Sequence, residues 1–434
     1  MRRVLFLTLF ILAQGRLLSQ DHIRISVEEV LARVQESNAS IKVSEQEAKM
    51  AKFDYNFSSS IFLPQISISH TGIATTNPLM AFGSKLNQEI LTQADFNPSL
   101  LNDPDQVESF ATKISVEQPL INMDGFYQRK AAKTTLEAKE LQASRTRDYL
   151  NFEAEKAYSQ LQLAYRAVEV LQKAYDAASS NQDVAENSYK QGLLQKSDLL
   201  QAKVRVTEVA NQLQSAKSNV KNASDYIAFL MDEQGDVIYE PSEALSPKSI
   251  DMEGDGALEN RADVKAMDLV SEAYKANMTA DKMTFLPRLN AFASYEMYDD
   301  DIFQTSAKGY LFGASLSWDV FKGGQRFAKT GRSKTSYEKA KQEYEQYLSK
   351  SNMELQRTKR MVQDAQGRLE TSKLAMEQSE ESLRIRTNRF REGLEKTTDL
   401  LMAEAMYAER QLVYYQTIYE FNQAQSFLAF LTIE

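Results

Sequence analysis

Two carboxylates stand at matching places in a chain poor in other reactive groups. Asp198 lies in "GLLQKSDLLQA" and Asp399 in "GLEKTTDLLMA", each six residues after a glycine, Gly192 or Gly393. The second stretch follows the first by 201 positions (393 − 192). A carboxylate can serve as a general acid or base, hold a hard cation, or complement the positive end of a helix. The first use needs a partner group, and the sequence offers none at a useful spacing. The chain has no cysteine, which excludes thiol nucleophiles, disulfides, cysteine metal sites and a lipid-modified N-terminal cysteine. Its only histidines are His22 and His70, which excludes histidine-rich metal sites. No phosphate loop or nucleophile elbow is present. "SYEK" at Ser336 fits S-x-x-K by chance, in a charged helical stretch without its companion motifs, and the sequon "NAS" at Asn38 is uninformative. No enzyme activity, cofactor or metal is expected. The remaining use of the two acids is electrostatic, at the starts of helices.

The formal charge is −9 for the 434 residues. The first twenty residues resemble an export signal: Arg2 and Arg3 precede the apolar run "VLFLTLFILA", which is too short to span a bilayer, and polar sequence resumes at "SQDH". Cleavage is expected between Gly15 and Gln20. Removing residues 1–20 takes away three arginines and leaves a charge near −12. Such a surface argues against nucleic acid as a partner. After residue 20 no window reads as a transmembrane helix, so any membrane-spanning part must be strands.

The elements that would carry Asp198 and Asp399 are long helices. The eight prolines leave the chain free of proline between 120 and 240 and after 287. Leu150, Ala154, Ala157, Leu161, Ala164, Val168, Leu171, Tyr175 and Ala178 alternate spacings of four and three. Val206, Val209, Leu213, Ala216, Val220, Ala223, Ile227 and Leu230 do the same. This is the seam of helices packed at a shallow angle. The second half keeps the frame less strictly, through Leu348, Leu355, Val362, Ala365, Leu369, Met376 and Leu383, with Thr358, Ser372 and Ser379 as polar interruptions. The run from about Asn122 to Tyr189 predicts a helix of roughly 100 Å. The glycine motifs then read as hairpin turns. Gly192 and Gly393 take the left-handed conformation that ends one helix, and Ser197 or Asp198, and Thr397 or Thr398, cap the next.

The chain is duplicated beyond these turns. "NASIKVSEQEAKMAKFDYNFSSSIFLPQI" from Asn38 aligns with "RADVKAMDLVSEAYKANMTADKMTFLPRL" from Arg261, and "SVEQPLINMDG" from Ser115 faces "SLSWDVFKGGQ" from Ser315. The first copy carries about 23 extra residues, within the loop-like segment Ile73 to Gln106. Alternating segments predict strands at about 61–74 and 107–120 in the first copy, and about 285–298 and 308–321 in the second. The expected order is signal peptide 1–20, first repeat 21–233 with its helical hairpin at 122–233, connector 234–257, and second repeat 258–434 with its hairpin at 322–434. Four strands cannot close a barrel, but three chains supply twelve, an even number suited to an antiparallel membrane barrel. Tyr295, Tyr298, Tyr310 and Trp318 near strand ends suit an aromatic belt at the lipid–water interface. The alternative is a soluble four-stranded sheet capping a coiled coil, in an exported oligomeric scaffold or adhesin without a pore.

The duplicated order of helix, "LP"-led strand pair, long helix, "G-L-x-x-[ST]-D-L-L-x-A" turn and returning helix resembles the TolC-like outer-membrane efflux protein family over essentially the whole mature chain. The loop "NPLMAFGSKLNQEILTQADFNPSLLNDP" resembles that of members from Bacteroidetes-type bacteria, and the lack of a lipidation cysteine implies a non-lipidated member. The resemblance implies a mainly α protein with membrane β-strands: a homotrimer whose twelve strands form an outer-membrane barrel continued by a long periplasmic α-helical tunnel. It implies an exit duct of a tripartite efflux or type I secretion system. The partners would be outer-membrane lipid, a periplasmic adaptor protein and an inner-membrane transporter of RND, ABC or related type. The adaptor would meet the turns, here Gly192, Leu193, Leu194, Lys196, Ser197, Gly393, Leu394, Lys396 and Thr397. Asp198 and Asp399 take the places of aspartates that constrict the family's entrance. Well-studied members carry a tyrosine three residues before the second turn glycine, an arginine two after it, and a second acid three after the second aspartate. Phe390, Glu395 and Met402 stand there instead. Any gate is therefore not latched by the same bonds, and Lys196 or Lys396 is expected to pair with Asp198 or Asp399.

Overall fold

The computed structural model describes residues 22–234, 237–249 and 258–433. The expected signal peptide and parts of the 234–257 connector lie outside them. The chain forms two compact units, and each draws on both sequence repeats: Met1–Glu45, Ala143–Ala262 and Leu348–Glu434 in the first, Gln46–Gln142 and Asp263–Tyr347 in the second.

The first unit is helical. Strand β1 (His22–Ile25) leads into α1 (Val27–Ser37), which opens with a reciprocal cap between Ser26 and Glu29. α2 (Ala39–Ser58) and α5 (Met123–Lys190), 68 residues long, are shared with the second unit, and α6 (Lys196–Leu230) lies wholly in the first. In the second repeat α8 (Gln325–Arg391) has 67 residues and α9 (Thr397–Thr432) has 36. The first repeat's seam is the buried side: Leu150, Ala154, Leu161, Leu171, Val209, Leu213, Val220 and Ile227 are all enclosed. Alanine and serine along it let helix axes approach closely. The second seam is enclosed at Leu355, Val362 and Ala365, while Leu348, Leu369, Met376 and Leu383 are half-buried in the single chain. The connector supplies β4 (Ile238–Pro241), which pairs in parallel with β1. Fully buried Ser224 of α6 accepts a hydrogen bond from the Tyr239 backbone N–H (3.1 Å), and Tyr158, Ile227 and Met231 fill the core beneath.

The second unit holds a four-stranded antiparallel sheet in the order β2 (Gln65–Thr75), β3 (Val107–Ile121), β5 (Arg288–Asp299), β6 (Ala307–Ser317). The register sorts its side chains by pleat. One row runs Ile68, Ile114, Tyr295, Tyr310, and the next Ile66, Val116, Ala293, Phe312, which makes an apolar face. The other face carries Ser67 bonded to Ser115, Lys113 paired with Glu296 at 2.7 Å, and Asn290 bonded to Glu117. Phe292 on this polar face lies over Gly313, as the register places it. Among the described residues neither β2 nor β6 has a further strand on its outer edge. No described helix is long and apolar enough to cross a membrane.

The segment Ile73 to Gln106 is more ordered than a loop. It holds α3 (Pro78–Asn87), a 3₁₀ turn at Gln93–Phe96 and α4 (Pro98–Asn102). Asn77 and Asn97 cap the two helices, each with proline at the first helical position, a combination that nucleates short helices despite the proline content. Lys85 pairs with Asp95 at 2.8 Å, and buried Gln88 donates to the carbonyls of Glu108 and Asp299, tying the segment to β3 and β5. In the second repeat α7 (Ala262–Met283) precedes β5, as α2 precedes β2 in the first.

Candidate functional site: the two helical turns

Both turns end their first helix in the same way. Gly192 has φ +76° and Gly393 φ +75°, the left-handed region. The Gly192 N–H donates to the Tyr189 carbonyl and the Leu193 N–H to that of Ser188; Gly393 and Leu394 donate likewise to Phe390 and Arg389, all at 2.9 Å. These are paired six-to-one and five-to-two closures that satisfy the last carbonyls of a helix.

The following helices start one to three residues earlier than the side chains suggest. The caps are Gln195 and Lys396, neither of which makes a side-chain capping bond. Ser197 and Asp198, and Thr397 and Thr398, are therefore inside the first turn and not at the cap, a correction to the expectation. The extended backbone of Gln195 and Lys396 marks each helix boundary, and these four residues follow it with helical backbone. Asp198 and Asp399 thus sit half-buried where the helix dipole favours negative charge. Among the described residues no ion pair joins Lys196 or Lys396 to either aspartate, so the expected lysine pairing is not made within the chain. Both lysines are exposed, as are Leu193, Ser197, Leu394 and Met402; Phe390 is half-buried.

The two turns differ most at the position two after the glycine. In the first, Leu194 packs on an apolar cluster of Ala185, Leu199, Ala202 and Leu401. In the second, Glu395 is gripped by two guanidinium groups: Arg386 Nη1 donates to Oε1 at 2.7 Å and Arg389 Nε to Oε2 at 2.9 Å. Arg389 also reaches the Leu394 carbonyl at 3.3 Å. The glutamate side chain is 11% exposed, so this clamp is largely out of water. Sequence reasoning marked Glu395 only as a departure and missed its partners. The signal was present: Arg386 and Arg389 replace Ala185 and Ser188 of the first copy, three residues apart on the last turns of α8.

Two further contacts join the hairpins. Leu401 of α9 belongs to the cluster of the first hairpin, and Asn181 of α5 donates to Glu404 of α9 at 2.6 Å. Further along, the Tyr407 hydroxyl donates to Glu380 at 3.0 Å; burial, reinforced by that carboxylate, pushes the phenol up to about 12. Among the described residues no group of histidines and carboxylates is arranged to hold a metal.

The aromatic residues expected at a lipid interface divide. Tyr295 and Tyr310 lie on the apolar face of the sheet, exposed in the single chain, and exposed Trp318 follows β6 with its indole N–H on the Phe285 carbonyl. Tyr298 falls on the other face, where its hydroxyl binds Glu296 beside Lys113. It does not share the face of Tyr295 and Tyr310: same-face positions on a strand differ by an even number, and 298 − 295 is odd.

Compared with known proteins, residues 30–231 and 254–432 match the outer membrane efflux protein family. The chain belongs to the outer membrane efflux protein family. With membership come efflux as its task and the cell outer membrane as its place. No curated protein sequence matches the chain. Solved structures share its fold. A membrane protein from Pseudomonas aeruginosa superposes with a TM-score of 0.82 at 16% identity, covering 94% of this chain and 93% of that one. The CmeC outer membrane channel of Campylobacter jejuni gives 0.82 at 15% identity, over 94% and 85%. The outer membrane protein VceC of Vibrio cholerae gives 0.79 at 18% identity, over 94% and 96%. This efflux protein therefore has the TolC-like fold of long helical hairpins joined to a four-stranded sheet.

Proposed function

We propose that this efflux protein is the exit duct of a tripartite efflux or type I secretion system, working as a homotrimer. The observation that carries the reading is the sheet of the second unit. It has one apolar face, one polar face and two edges of eleven residues each that are unpaired among the described residues. Long open edges invite pairing with another chain, and four strands are too few to close on themselves. The strands alternate in direction, so β6 of one copy and β2 of the next meet antiparallel, and three copies close a twelve-stranded barrel with its apolar face toward lipid.

The helical hairpins then extend into the periplasm and line a tunnel whose entrance is ringed by the six turns. Three copies of Asp198 and Asp399 place carboxylates there, a barrier to anions and a binding place for cations. Exposed Leu193 and Leu394, with Lys196 and Lys396, face a periplasmic adaptor that links the duct to an inner-membrane transporter of RND, ABC or related type. The energy for transport comes from that transporter, and the duct itself conducts passively. The test is membrane fractionation followed by the mass of the detergent-solubilised particle. An outer-membrane particle of three chains is expected. A soluble periplasmic monomer or dimer would defeat the proposal in favour of a scaffold without a pore.

A further inference from the structure

Glu404 stands where the first copy has Lys203, one turn beyond Leu401, on the side of α9 that meets the first hairpin. Its Oε1 accepts from Asn181 Nδ2 of α5 at 2.6 Å. Its Oε2 is enclosed and has no hydrogen-bond partner. A carboxylate in this setting is awkward when ionised, because half its charge faces neither water nor a donor. Arg205 of α6 is the cation whose field reaches it, and that guanidinium also faces Glu208 at 3.9 Å. On α8, Glu380 is occupied by the Tyr407 hydroxyl, and Arg386 and Arg389 are committed to Glu395. Burial is the larger influence and pushes the Glu404 carboxyl above its ordinary value of 4.5; the Asn181 bond and Arg205 oppose it.

We propose that Glu404 and Asn181 form the latch between the two hairpins of each chain, and that the latch is proton-linked, holding at lower pH and releasing as pH rises. The proposal deepens the duct reading, in which parting of the hairpins widens the entrance. The sign follows from the two states. With the hairpins joined, Glu404 is enclosed and holds its proton more tightly. With them parted, it is solvated and ionises at its ordinary value. The joined state is therefore favoured below that ordinary value and loses its advantage as pH rises through the raised one. A neutral carboxyl keeps the Asn181 bond at its carbonyl oxygen and carries no charge into the enclosed space. Glu404→Gln reproduces that neutral form at every pH.

The absence of cysteine allows a clean test on the full-length protein in detergent. Ala185→Cys reports on the enclosed cluster around Leu401, and Leu193→Cys, 76% exposed in the parent, corrects for reagent and thiol ionisation. The ratio of their maleimide labelling rates is expected to rise about threefold between about pH 4 and about pH 8. It stays flat in Glu404→Gln, and is raised at both pH values in Asn181→Ala. No rise in the parent, or an equal rise in Glu404→Gln, overturns the latch. Planar-bilayer conductance separates the two readings. A conducting protein whose conductance ignores both pH and Glu404→Gln contradicts the latch and leaves the duct intact. A protein that never conducts contradicts the duct, and the labelling ratio still decides the latch.

Discussion

Removing the Glu395 carboxylate should loosen the second turn and leave the first untouched. The clamp consists of two charge-assisted hydrogen bonds, from Arg386 at 2.7 Å and Arg389 at 2.9 Å. Fully enclosed bonds of that kind contribute about 1.5–3 kcal/mol each. Here the carboxylate is 11% exposed but the arginine side chains are 41% and 55% exposed, so both cations recover water once released. Discounted for that screening, Glu395→Ala is expected to cost about 1.5 kcal/mol in local stability. That is about tenfold in the opening equilibrium of the turn. Hydrogen exchange of the solubilised protein reads this directly at the Gly393 and Leu394 amides, which close onto Phe390 and Arg389. Their exchange should quicken about tenfold, while Gly192 and Leu193 keep their protection. Glu395→Gln, retaining one acceptor oxygen, should fall between. Unchanged exchange at the second turn, or an equal change at the first, would refute the clamp.

Gly192→Ala and Gly393→Ala should each destabilise by about 1 kcal/mol from backbone strain alone, because each glycine has positive φ and open space around an added Cβ; thermal melting of single and double variants checks this, and the costs should add. Asp399→Ala should raise single-channel conductance and weaken block by divalent cations, with Asp198→Ala acting in the same direction; unchanged conductance together with unchanged block would remove both acids from the entrance.

Much of the fold is written in local pattern. Proline-free runs with a four-three apolar spacing give α5, α6, α8 and α9, because helix formation and one buried stripe are properties of neighbouring residues. The turn glycines are equally legible, since a left-handed residue that ends a helix favours glycine. The helices at 78–87 and 98–102 escape the local reading, because proline density reads as loop, although Asn77-Pro78 and Asn97-Pro98 are the cap and first-turn pairs that start them. What lies beyond local pattern is which residues meet across elements. Nothing near Glu404 in the chain announces Asn181, 223 positions away. Nor does Glu395 in isolation reveal whether an acid at that position repels its neighbours or is gripped by them. Tyr298 shows the opposite failure, where aromatic type outweighed strand parity in the reading and the sheet register corrects it.

The central claim is that several copies of this chain close their open sheets into one membrane pore. Reconstituting the purified protein into a planar bilayer tests it most directly. Discrete, cation-preferring conductance steps of one size are expected, lost when the particles are dissociated to single chains before reconstitution. A correctly folded, membrane-inserted protein that gives no steps would contradict it.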